Sequence, residues 1–565
     1  MKTITHSLFF AAVLVVMLAI PLYGQNGSIN NTLGTGGAFS VKDGSATFLT
    51  LSQSTGYLGL NKSLTLPATT DATLGVIFKG GDRFIHNYQA PGMVGGNTFV
   101  GVDAGNFILT GYRNSAFGES SLAANTTGFS NSAFGYRSLS ANTTGFSNSA
   151  FGVSSLLSNT TGAGNSAFGY FSLFNNTTGA QNSAFGSSSL DANTAGVSNS
   201  AFGCLSLHAN TTGQMNSAFG TGSLCANTTG ELNSAFGSGS LSANTTGSQN
   251  SAFGSNSLGA NTTGSYSSAF GYYSLHSNTS GQMNSAFGEN SLAANTTGNH
   301  NSAFGLQSIY DNTTGSNNSA FGMNSLCYNT TGDDNSAFGY YSLFNNTAGG
   351  NNSAFGRQSL ENARGNDNTA LGYKAGSTIT TGSNNIAVGA NAQVPVGASD
   401  NQVRIGNSSI TYAGVEVAWT ITSDRRRKQN IESLNSGLDF VSMLRPVSYT
   451  RKNDQKHRTE YGFIAQEVEQ VLKDQGIQNS GMFTIDDKGF YELRYNDLFA
   501  PVVKAIQELK SENDALRSEN NMMKKELSSL RVTVMEQVKE MRSILLKIAQ
   551  AGTTPGKAPS HAGTN

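Results

Sequence analysis

The chain has 565 residues, enough for several domains, yet only 12% are charged and 67 are glycine, which departs from ordinary globular usage. A net charge of −1 gives no bulk attraction to nucleic acid or to an anionic membrane surface, so neither is expected as a partner. The average conceals a split: the stretch from Asp424 onward holds 22 of the 33 Lys+Arg and 19 of the 34 Asp+Glu, which places a domain boundary near residue 423.

Residues 1–24 have a short basic start, an apolar run over 8–20, then Pro21 and the small Gly24. This is the pattern of a secretory signal peptide cut after Gly24. The run is too short to span a bilayer comfortably, and no later segment could span one as a helix, so no transmembrane anchor is expected. Residues 25–110 are Gly/Thr/Ser-rich with apolar stretches such as Ala46-Thr47-Phe48-Leu49-Thr50-Leu51. They read as a β-rich tip or cap, of the kind that hides the unpaired edge at a solenoid end. Within them, Asn97-Thr98-Phe99-Val100-Gly101 looks like a degenerate first copy of the repeat that begins near residue 111.

From Phe117 to Phe355 a phenylalanine recurs at every seventeenth residue, fifteen times without a slip. Each copy reads close to Asn-Ser-Ala-Phe-Gly-x-x-Ser-Leu-x-x-Asn-Thr-Thr-Gly-x-x. A fixed period of this length means a stacked solenoid, predicted over 111–372. Ser-Ala-Phe-Gly suits a short strand and Asn-Thr-Thr-Gly a turn, where Asn and Gly tolerate left-handed backbone. Each rung is expected to bury one Phe, one Ala and one Leu. Stacking at about 4.7 Å would then give Phe and Asn ladders. One extra residue in a copy is expected to break the register. Cys204, Cys225 and Cys327 read as small apolar fillers, with no disulfide framework, metal site or cofactor. The Asn-Thr-Thr tripeptides match a glycosylation sequon, but the turn explains them without a glycan.

Residues 373–422 carry degenerate copies and a β neck. Asn368-Thr369-Ala370-Leu371-Gly372 and Asn385-Ile386-Ala387-Val388-Gly389 resemble the β-roll head repeats of trimeric autotransporter adhesins. That resemblance implies three rolls side by side in a homotrimer. The period here is longer, Phe replaces the usual Ile or Val, and the outer-membrane barrel of that family is absent.

Beyond the neck come Ser423-Asp424-Arg425-Arg426-Arg427-Lys428, Leu444-Arg445-Pro446 and Gly462-Phe463-Ile464-Ala465-Gln466-Glu467-Val468. In combination these resemble the C-terminal intramolecular chaperone of phage endosialidases and other tail spikes. The resemblance implies a domain over 423–505 that aligns three chains and then cuts itself off between Ser423 and Asp424, with Ser423 and Lys428 as the catalytic pair. A serine hydroxyl needs a base, and a lysine serves only when neutral, through burial or cationic neighbours such as Arg425 to Arg427. Attack by Ser423 on its own carbonyl closes a strained four-membered ring, which leaves the attacking atom and the scissile bond open in detail. Gln466 and Glu467 are candidate orienting groups.

From Ile506 the pattern turns to heptads, with Ile506, Asn513, Asn520, Leu527, Val534, Met541 and Ile548 at one seam position and Leu509, Leu516, Met523, Leu530, Gln537 and Ile544 at the other. This predicts a coiled coil over 506–550, followed by a disordered tail over 551–565. The fold class is therefore mainly β: a parallel β-roll or solenoid of 17-residue repeats in a homotrimeric fibre, with a C-terminal α+β chaperone domain and a helical coiled coil. The function read from it is a secreted or cell-surface, adhesin-like trimeric fibre. Its partners are two further copies of itself and an unidentified surface, glycan or matrix ligand, and its only catalysis is a single self-cleavage. A tail-fibre-like glycan-degrading enzyme and an ice-binding solenoid are the alternatives.

Overall fold

The computed structural model describes residues 38–43, 46–52, 57–61, 63–435 and 437–552; the expected signal peptide and the tail from 553 lie outside the described residues. Ala38–Asp43, Ala46–Ser52 and Leu58–Leu60 form an antiparallel three-stranded sheet. Next comes a hairpin of Ile77–Lys79 and Asp82–His86, whose second strand pairs antiparallel with Thr98–Val100. Thr98–Val100 then pairs in parallel with Ser115–Phe117, so the degenerate copy is indeed the first rung. From there a parallel ladder runs one strand per rung to Val403–Ile405, with Ser on Ser, Ala on Ala and Phe on Phe throughout the regular part. The molecule is a β-solenoid of 17-residue repeats, succeeded by an α+β region and a long helix.

The strand alternates its side chains, so the middle Ala points inward and its neighbours point out. Ala133 and Leu139 are fully buried, as are their equivalents in every regular rung. The phenylalanines are not core residues, contrary to the expectation from sequence. They stack along the outside with ring centroids 4.6–4.9 Å apart and planes within 8°, and Phe117, Phe321 and Phe355 remain 37–41% exposed.

Asparagine fills the space instead. Asn131 Oδ1 accepts the Asn148 backbone N–H at 3.0 Å, while Asn148 Nδ2 donates to the Gly162 carbonyl at 2.9 Å. In the other file, Asn142 Nδ2 donates to Asn125 Oδ1 at 2.8 Å and to the Gly145 carbonyl at 3.0 Å. Both files are wholly buried, so the sequon asparagines in them are closed to a glycan in the folded rod. They are not left-handed either. The positive-φ positions are Arg137 (55°), Leu139 (52°) and Ser147 (56°) and their equivalents. Each costs on the order of 1–2 kcal/mol, offset by the buried Leu and by backbone bonds to the adjacent rungs. Gly135, at φ 133°, stacks so closely on the next rung that a Cβ would lie 2.6 Å from the Gly152 carbonyl carbon.

The register also tolerates a shorter rung than the repeat suggests. Ser353 pairs with Thr369, sixteen residues on, without loss of pairing. The missing residue falls in the turn before Gly365, where Ala363 takes the buried place that Asn346 fills one rung earlier. Cys327 is buried, and burial pushes its thiol up to about 12, whereas Cys204 is exposed and therefore not a filler.

In the C-terminal region, helix α1 (Leu438–Met443), a hairpin of Val447–Thr450 and Thr459–Gly462, helix α2 (Ala465–Asp474) and a hairpin of Phe483–Ile485 and Tyr491–Leu493 precede helix α3 (Phe499–Ala551). Phe440, Val468, Val471, Leu472 and Leu498 make its core. Glu508 of α3 accepts the Leu438 N–H at 2.6 Å, which caps α1. From residue 509 onward α3 is exposed on all sides. It is 53 residues in one piece, about 80 Å long, and starts seven residues before the heptads. The described helix includes Ala551, the first residue of the expected tail. Among the described residues no helix is long and apolar enough to cross a membrane.

Asn233→Ala removes the bond to the Gly247 carbonyl and leaves the buried Asn250 backbone N–H without its acceptor. It should cost roughly 1–3 kcal/mol, read as lost hydrogen-exchange protection in the rungs around 216–250 with distant rungs unchanged. The first C-terminal hairpin should loosen in acid. Asp454 is buried in its turn, where Arg458 and the N–H groups of Arg458 and Lys456 hold its carboxyl down at about 2. With a depressed pKa, the stabilisation is complete above the ordinary Asp value of about 3.9 and disappears as pH falls through about 2. Pepsin should therefore begin to cut near Tyr449 and Tyr461 between pH 4 and 2, while Asp454→Asn should be cut already at pH 4.

Candidate active site

Between the closing strand of the solenoid and α1 the chain is extended, and 408–423 is exposed throughout. Asp424 interrupts it. Its carboxylate accepts the Arg426 N–H at 2.8 Å and its carbonyl accepts the Arg427 N–H at 3.1 Å, which starts one 3-10 turn over Arg425–Arg427. Asp is a strong N-cap for this reason. The turn closes when Lys428 N–H donates to the Arg425 carbonyl at 3.0 Å. This single turn brings the Lys428 side chain back over Ser423, and Lys428 Nζ donates to Ser423 Oγ at 2.6 Å.

The electrostatics are dominated by arginine. Arg426 pairs with Asp424 at 2.7 Å and holds its carboxyl below the usual range. Arg425 and Arg427 flank the pair in the same turn and are exposed. A lysine acts as a base only once it sheds its proton, and loss of water or nearby positive charge favours that. Positive charge is present in the turn as Arg425, Arg426 and Arg427, with Arg426 paired to Asp424. Loss of water is not met in one chain, because Ser423 and Lys428 both face solvent.

The two candidate orienting groups lie elsewhere. Glu467 sits in the first turn of α2 and is held by the Arg445 guanidinium in a two-pronged ion pair, with Nε to Oε2 at 3.0 Å. That contact lowers the Glu467 carboxyl below its ordinary value. Gln466 is exposed, and its side chain has no hydrogen-bond partner among the described residues. Neither touches Ser423 or Lys428 within the chain. Arg445 belongs to the Leu444-Arg445-Pro446 motif, but its partner lies 22 residues away, a distance that local spacing does not reveal. The pair closes over a depression lined by Leu444, Phe463, Ile464 and Val468.

Residues 423–477 match the family model described as the chaperone of endosialidase. No curated protein and no solved structure matches the chain. The matched span starts at Ser423 and includes Lys428, Arg445, Gln466 and Glu467. It implies a trimer-assembly chaperone with autoproteolysis, here attached to a β-solenoid.

Proposed function

We propose that this chain is an exported fibre subunit whose three copies are aligned by the C-terminal domain and α3, after which the chain is cut between Ser423 and Asp424. The observation that carries this reading is the 2.6 Å contact of Lys428 Nζ with Ser423 Oγ, at the first residue of the matched span and in the open segment between rod and chaperone. Lys428, once neutral, is the base at Ser423 Oγ, and the attacking atom stays open because Ser423 Oγ on its own carbonyl would close a four-membered ring. Overall the cut consumes one water and leaves a carboxylate on Ser423 and an amine on Asp424. Burial of the pair between copies would remove the water that keeps a lysine charged, which makes assembly the trigger.

Two unpartnered apolar surfaces support the trimer. On α3, Ile506, Leu516, Leu527 and Ile548 of the heptad seams are 57–66% exposed, and a helix of this length with a bare seam is stable only against partners. On the rod, the fifteen stacked phenylalanines form an outward file with no substitution, whereas the outward position two residues on varies freely (Glu119, Tyr136, Val153, Ser187, Arg357). The phenylalanine file is the surface through which neighbouring rods pack, in the same assembly that the helical seam holds together. The adhesin-like role, with a surface, glycan or matrix ligand at the N-terminal tip, completes the reading. The ice-binding alternative is weakened because the first Thr of each turn donates its hydroxyl to the next rung, as Thr143 does to the Thr160 carbonyl at 3.1 Å. That leaves one free threonine file instead of two.

Wild-type chain should run on denaturing gels as two pieces, with mass spectrometry giving a fragment that starts at Asp424. Ser423→Ala and Lys428→Ala should each stay full length; equal full-length bands from all three sink the self-cleavage reading. Leu527→Asp with Leu530→Asp should convert a sedimenting trimer to smaller species and lower the cut fraction by at least tenfold. A monomeric wild type would remove the trimer.

A further inference from the structure

The hairpin of Phe483–Ile485 and Tyr491–Leu493 belongs to the C-terminal domain, yet its turn reaches the end of the solenoid. Asp486 shapes that turn by accepting the N–H groups of Lys488 at 2.9 Å and Phe490 at 2.8 Å. Asp487 is thereby turned outward. Its N–H donates to the Pro395 carbonyl at 2.9 Å, and its carboxylate accepts the Gly397 N–H at 2.8 Å. Glu492 in the second strand pairs with Arg404 of the closing solenoid strand, and Arg404 is itself fixed by donation from Nε to the Gln393 carbonyl at 3.0 Å. The other hairpin joins in: Asn453 Nδ2 donates to the Ser408 carbonyl, and Arg458 Nη2 to the Thr411 carbonyl at 3.2 Å.

Each of these contacts between hairpin and rod joins a residue before Ser423 to one after Asp424, and none uses the exposed segment 412–423. Cutting the Ser423–Asp424 bond therefore removes the covalent link and none of the contacts. Among the described residues the closing strand pairs only with the strand before it, and the domain sits beside that end through the turn at Pro395 and Gly397 and through Arg404. We infer that the C-terminal domain remains seated after the cut as a noncovalent end cap on the closing rung, held by Asp487 and by the Arg404–Glu492 pair. This rests on the cut proposed above. In a trimer three such caps joined by α3 act together, so contacts that are weak singly hold through effective concentration. The ion pair is only part-buried, and its share should weaken with salt.

The test uses the full chain with Ser423→Ala, a C-terminal affinity tag, and a site-specific protease sequence replacing residues 414–420. After assembly the chain is cut with that protease and captured on the tag. The rod fragment should stay on the resin at physiological salt. Glu492→Arg with Asp487→Ala should release most of it, and adding Arg404→Glu to Glu492→Arg should restore at least half of the retention. Rod in the flow-through with the native contacts intact overturns the cap, as does retention that these changes do not alter. The unmodified chain run beside it reports self-cleavage separately: a single full-length band there counts against the cut and leaves the retention result standing.

Discussion

Each rung of this rod is bound to the next around its whole circumference by backbone hydrogen bonds, and that ladder constrains everything else. A three-residue strand has no independent stability, and seventeen residues cannot recover the entropy of their own ordering. The ladder works only if successive rungs have nearly the same shape. That is why glycine stacks on glycine at Gly135 and Gly152, why two buried asparagine files occupy space that larger apolar residues would fill in an ordinary core, and why Leu139 accepts a left-handed backbone. Asparagine suits the position because its amide carries donor and acceptor at once, so each copy satisfies the one above and below it. The cost of a buried amide is met only in an unbroken file, which makes the rod cooperative along its length.

A repeat this uniform creates its own difficulty. If rods pack along their phenylalanine files, sliding one past another by a single rung sets Phe against Phe again. Within a chain, connectivity forbids the slip; between chains the uniform phenylalanine file does not. Register must therefore come from outside the repeat. The C-terminal region has what the rod lacks: a non-repeating core around Phe440 and Leu472, and a helix whose seam is interrupted by Asn513 and Asn520, polar positions that penalise misalignment. An aligning domain of the kind the matched family implies would supply that register.

The period, the strands, the first rung at Thr98 and the long helix were legible in the sequence because they depend on local spacing. The direction of each side chain was less so. In Ser-Ala-Phe the alternation sends either Ala or Phe inward but not both, so the expectation that each rung buries both held for Ala and failed for Phe, while Leu from the second segment completes the core. The asparagines read as turn residues because their inward partners lie one rung away. The tolerance of the sixteen-residue rung was likewise invisible, since it depends on the deletion falling in a turn and on Ala363 replacing the buried amide. At the candidate site, Ser423 and Lys428 were paired only through the family resemblance, and the 3-10 turn that brings them together is seen in the fold. Arg445 with Glu467, and Asp487 with Gly397, are 22 and 90 residues apart and are visible only in the fold.

The placement of the serine–lysine pair ties the chemistry to that architecture. Ser423 lies at the junction where a uniform rod meets a non-uniform domain, at the end of an extended and exposed segment. A single chain leaves the pair facing solvent, whereas the proposed cut calls for that solvent to be removed. On the proposed reading, assembly of three copies would bury the pair beside Arg425 and Arg427, and both changes would favour a neutral amine. On that reading the cut depends on the alignment of the three copies. Once the bond is gone, a rod that unfolds has lost the covalent helper that aligned it, so its persistence becomes a matter of rate instead of equilibrium.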